Sequence, residues 1–134
     1  MTHRDLVNSF VRLAEAANSA SAETSHLLRF YSVECGMKAA ALLRAGLQTT
    51  EQLPADLLNH DLRRLASHLR LSPTEYRMLA PCRRRPSTPA QPTVEVPQLH
   101  QAWRYGAKLD AEDEKTAVAG LTSLGDWCRK EIRR

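Results

Sequence analysis

Apolar side chains recur at helical spacing through most of the chain. Leu6, Val7, Phe10, Val11, Leu13, Ala14 and Ala17 mark one helix over about residues 3 to 18. The run "NSASAETS" breaks it, because these residue types favour caps and turns. A second helix starts near Ala22 or Thr24 and runs to about Ala45, where Gly46 is placed to end it in a left-handed cap. It is the longest and most apolar segment, so it is expected at the centre. A third helix is predicted over about 55 to 70, with Leu57, Leu58, Leu62, Leu65, Ala66 and Leu69 as its buried stripe. The "SPTE" of residues 72 to 75 reads as a capping box opening a short helix to about Leu79. Helical spacing resumes near Gln98, weakens at Gly106, and restarts after Asp110 as a last helix over about 111 to 132.

Five of the seven prolines fall between 81 and 97, which predicts an extended, mobile loop rich in proline and arginine. "TVEV" alternates but is short and flanked by prolines, so no strand is expected. The prediction is one all-α domain spanning 1–134, an antiparallel bundle of four main helices plus a short helix and this loop.

Composition changes this picture little. No apolar run approaches the roughly 20 residues that span a bilayer, and "MTHRDLVNSF" is not a signal peptide. A cytoplasmic protein with no membrane partner is expected. Cys35, Cys82 and Cys128 are odd in number and widely spaced, so they read as buried or incidental thiols. Neither a metal site nor a cofactor motif is expected: there is no phosphate-binding glycine loop, HExxH or GxSxG. The net charge is +4, and fifteen of the nineteen basic residues are arginine. Arginine grips phosphate and carboxylate in a fixed fork, which fits an RNA, nucleotide or acidic-protein partner.

Three constellations could carry chemistry. Glu34 and Lys38 are four apart on the second helix, an arrangement that suits either a rim ion pair or one wall of a site. "NHDLRRLASH" brings His60 and Asp61 near the start of the third helix and spaces Arg63 and His68 five apart. "HQAWRYG" puts Arg104 and Tyr105 beside Trp103. Arginine next to aromatics suits phosphate or base contact, although a packed helix start fits equally well.

Taken in order, "FYSVECGMKAAALL", "HDL" and "RY" resemble the HEPN superfamily (higher eukaryote and prokaryote nucleotide-binding domains). The resemblance covers roughly residues 5 to 132 and lies closer to the members that accompany minimal nucleotidyltransferases. It implies a helical bundle, a homodimer or companion protein, and an RNA or nucleotide ligand near Glu34, Lys38, His60, Arg104 and Tyr105. It also implies a toxin–antitoxin or phage-defence setting. The RNases of that superfamily carry R-x(4–6)-H on a late helix, where His serves acid–base chemistry and Arg holds phosphate. After Arg104 the corresponding positions are Leu109, Asp110 and Ala111, so the motif is missing there. Arg63 and His68 have the spacing one helix earlier. The leading expectation is therefore a catalytically degenerate binding domain. The alternatives are a metal-independent endoribonuclease using Arg63 and His68, and a purely structural helical subunit.

Overall fold

The computed structural model describes residues 1–132. Three long helices frame it: α1 (His3–Ser19), α2 (Ala22–Ala45) and α6 (Ala111–Ile132). Between α2 and α6 lie α3 (Leu62–His68), α4 (Pro73–Tyr76), the two-residue strands β1 (Cys82–Arg83) and β2 (Thr93–Val94), and α5 (Leu99–Arg104). The molecule is thus mostly helical, with a small antiparallel sheet that pairs Cys82 with Val94 and Arg83 with Thr93. No described helix is long and apolar enough to cross a membrane.

The helix ends are where local chemistry puts them. Thr2 and Asp5 form a reciprocal capping box for α1, and Ser72 and Glu75 do the same for α4. Gly46 closes α2 at φ 65°, its N–H bonded back to the carbonyls of Leu42 and Leu43. Asp110 accepts the Asp113 N–H at 3.1 Å and opens α6.

α2 is the central element, buried along most of its second half. α1 folds back against it antiparallel, and the Ser32 hydroxyl bonds the Phe10 carbonyl at 2.8 Å. α6 runs parallel to α2: Val33 faces Gly125, Gly36 faces Cys128, and Arg44 reaches Glu131 at 3.5 Å. The long helices are therefore not an all-antiparallel set. A parallel neighbour needs a long return connection, and residues 46 to 110 supply it.

The third predicted helix is interrupted. Ala55–Leu57 form a 3₁₀ turn, and α3 begins only at Leu62. His60 sits between them at φ 65°. Asn59 accepts the Asp61 N–H and Asp61 accepts the Arg64 N–H, so short polar side chains replace helix bonds here. The break turns Leu57 and Leu62 inward together and leaves Leu58 exposed, against its predicted burial. α5 is also short, so among the described residues three helices are long, and a bundle of four main antiparallel helices is not seen.

The proline-rich stretch is better tied than an open loop. Its prolines flank the paired positions, and Pro92 contributes only its carbonyl, which accepts from Arg84 N–H at 2.9 Å. Arg83 anchors the sheet to α6 through Asp113 at 2.9 Å and Asp110 at 3.3 Å. Arg85 adds a second contact to Asp110 at 3.2 Å.

Gly120 allows α6 to press on the α4 exit, since a Cβ there would lie 2.6 Å from the Leu79 amide nitrogen. At Gly125 a Cβ would meet only Val33 Cγ2 at 3.9 Å. Gly120→Ala is expected to destabilise by about 1–3 kcal/mol through overpacking against backbone. Gly125→Ala should be neutral, or stabilising by up to about 1 kcal/mol through helix propensity. Chemical denaturation of both variants checks the contrast; equal effects would refute the packing account.

Candidate functional site

Glu34 on α2 is a buried carboxylate, only 5 % exposed. Burying a carboxylate is costly unless charge and hydrogen bonds compensate it. Here Oε2 accepts from Lys38 Nζ at 2.8 Å and Oε1 from His60 Nδ1 at 3.0 Å. The Lys38 contact follows from helical geometry, four residues along one face. The His60 contact does not; it requires the chain to reverse at the left-handed His60 backbone so that its ring returns to α2.

A second histidine completes the cluster. The His100 ring on α5 lies 4.4 Å from the His60 ring, and its Nδ1 is hydrogen-bonded to the Tyr31 hydroxyl at 3.0 Å. Phe30 also packs on His100, at 5.4 Å between ring centres. Burial pushes the His100 pKa below the usual value of 6.5, and charge on His60 pushes the same way, against the attraction of Glu34. His26, beside Trp103 at 5.5 Å, is lowered by burial as well.

Glu34, Lys38 and His60 thus come together. Tyr31 and His100 were missed. Tyr31 stands three residues before Glu34, and His100 stands four before Arg104 on the same α5 face, so both lay at readable spacings. Arg104 is exposed one turn beyond His100. Its guanidinium lies 5.8 Å from the Tyr105 ring centre, and Tyr105 itself is 76 % exposed. Trp103 is the buried member of that triplet and donates Nε1–H to Glu114 at 3.0 Å.

Arg63 and His68 lie elsewhere. Both line an open groove of about 600 Å³ with Tyr76, Arg64 and Glu95. Arg63 lies 5.8 Å over the Tyr76 ring, and Arg64 pairs with Asp56 at 3.5 Å. Among the described residues no hydrogen bond or ion pair joins Arg63 or His68 to the Glu34 cluster.

The acidic start of α6 is also used: Asp110 and Asp113 hold arginines and Glu114 holds Trp103. Among the described residues no group of three or more His, Cys, Asp or Glu is placed to hold a metal ion. Burial pushes the Cys82 and Cys128 thiols up to about 12, so neither forms a thiolate nucleophile near neutral pH.

Glu34→Gln keeps the shape but leaves Lys38, whose side chain is 15 % exposed, facing a neutral amide. A loss of about 1–3 kcal/mol in denaturant unfolding is expected, because Lys38 retains a route to water. The histidines set an acid limb. With folded pKa values below 6.5, the unfolded chain binds more protons, so stability is full above that pH and falls as pH drops through it. His100→Gln should flatten the stability profile between pH 7 and 5 without abolishing it, since His26 acts in the same direction. An unchanged slope would refute the assignment. Comparison with known family models, curated proteins and solved structures finds no match, so the functional reading rests on this geometry.

Proposed function

We propose that this chain is a HEPN-like, catalytically degenerate domain that binds RNA or a nucleotide, as a homodimer or beside a companion protein. What supports the reading is the convergence of Glu34, Lys38 and His60 on one another, with Arg104 one turn beyond the His100 that packs on His60. Glu34 fixes the His60 ring through Nδ1 and leaves Nε2 for a ligand. Lys38 and Arg104 supply positive charge at the margins, and Tyr105 offers a ring face. These groups suit a phosphate and a base better than an apolar partner.

A second reading, metal-independent cleavage of RNA by Arg63 and His68, draws support from one observation: both side chains line the same groove. The two readings separate in solution. In fluorescence polarisation with a labelled mononucleotide and a short RNA, His60→Ala and Arg104→Ala should each weaken binding about five- to tenfold, with a larger loss at low salt for Arg104→Ala. RNA incubated with the pure protein and no metal should stay intact, with or without His68→Ala. Cleavage lost in His68→Ala would establish the second reading. Absence of any nucleotide or RNA binding would leave the structural-subunit role.

A further inference from the structure

A second surface continues from Tyr105, the residue that ends α5 on its exposed side. A groove of about 580 Å³ runs beneath it, lined by Gln98, Gln101, Gln91, Glu95 and Arg84. Gln98, Gln101 and Tyr105 follow helical spacing along about 10 Å of the α5 segment. Arg84 and Pro92 also wall a neighbouring cavity of about 340 Å³, which Arg83, Arg85, Ser87 and Asp110 complete. The two cavities therefore share a wall, and an exposed aromatic ring at one end leads past three amides to three guanidinium groups at the other.

The guanidinium groups are not equivalent. Arg83 is committed to Asp113 and Asp110 and holds the sheet on α6. Arg85 has a single contact, Nη1 to Asp110, and its side chain is 69 % exposed. Arg84 donates from Nη2 to Gln91 at 3.2 Å, while its buried Nε–H has no acceptor. A buried donor left without an acceptor is costly; a ligand oxygen would instead meet the Nη groups of Arg84 and Arg85. Glu95, whose carboxylate lies 3.4 Å from Thr93 Oγ1, opposes negative charge at the middle of the groove. Phosphate contact is therefore assigned to the arginine end, and the middle of the groove is left to base edges, which carry no charge.

We propose that this groove is a track for single-stranded nucleic acid, with a base stacked on Tyr105, bases read by the glutamine amides, and backbone phosphate on Arg84 and Arg85. The chemistry fits a strand: a π face takes any base, side-chain amides hydrogen-bond exposed base edges, and arginine forks a phosphate. A duplex hides those edges and is disfavoured. The inference rests on the reading that the ligand is RNA or a nucleotide, and it adds a site outside the Glu34 cluster.

The test uses the full chain and fluorescence anisotropy with labelled twelve-residue oligouridylate and oligothymidylate, a labelled uridine monophosphate, and a twelve-pair duplex. Wild type should bind the strands more tightly than the duplex or the mononucleotide, and the tighter strand names the natural sugar. Tyr105→Ala, whose side chain is exposed, should weaken strand binding about tenfold. Arg85→Ala should reduce the slope of log affinity against log salt by about one. Arg85→Ala should not alter binding of uridine monophosphate, and thermal melts confirm that both variants fold. Strand affinity unchanged in both variants would overturn the track, even if His60→Ala still abolishes mononucleotide binding and the Glu34-cluster reading survives. Strand binding lost in Tyr105→Ala but untouched by His60→Ala supports the track while removing the Glu34 cluster from recognition.

Discussion

A carboxylate with 5 % of its surface exposed constrains everything that touches it. Glu34 sits on the central helix, where a neutral side chain would pack at less cost. Keeping its charge requires two hydrogen-bond donors that approach from fixed directions. One comes from the same helix, Lys38, at no topological expense. The other comes from 26 residues away, His60, and to deliver it the chain must end the 3₁₀ turn at Leu57, reverse, and restart as α3. The break in the predicted third helix is thus coupled to the satisfaction of this one group. His100 packs against His60 with 4.4 Å between ring centres, which ties α5 to this cluster.

A second clasp works at the opposite end of α5. Arg83 is held by Asp110 and Asp113 at the start of α6, so the small sheet and the return of the chain are pinned by charge-assisted bonds. The Trp103–Glu114 bond adds a link between α5 and the first turn of α6. α5 is only six residues long and would not persist alone. It is held because its buried side, Leu99, His100, Ala102 and Trp103, is anchored to α2 and α6. The outer side is left to carry Arg104, Tyr105 and Gln101, which are all exposed.

The parts of the fold that depend on local chemistry were readable in the sequence. The bounds of α1, α2 and α6, the capping box at Ser72, and the Gly46 and Asp110 ends all follow from side-chain type and spacing. The parts that depend on long-range satisfaction were not. Leu58 had the same apolar spacing as Leu57 but is exposed, because the reversal at His60 changes which face points inward. The β1–β2 pair is too short to show alternation and is held mainly by Arg83. At the site, Glu34–Lys38 was legible as an (i, i+4) pair, whereas the role of His100 needed α5 to be docked. The direction of α6 was likewise invisible, since periodicity is the same for parallel and antiparallel neighbours.

Backbone conformation gives an independent reason to regard His60 as chosen for its ring. Four described residues adopt positive φ: Gly46, Gly106, His60 and Arg70. Glycine takes this conformation without penalty, while other L-residues lose roughly 1–2 kcal/mol. Where only the turn matters, at Gly46 and Gly106, this chain uses glycine. At Arg70 the conformation terminates α3, with Arg70 N–H bonded to the Ser67 carbonyl and Leu71 N–H to the Ala66 carbonyl. His60 ends no helix, so the backbone alone would be better served by glycine. What glycine cannot supply is the 3.0 Å bond to Glu34 Oε1 and the stacking surface for His100. The strain at this position is therefore offset by side-chain interactions, and the ring it positions is half-exposed rather than sealed in the core.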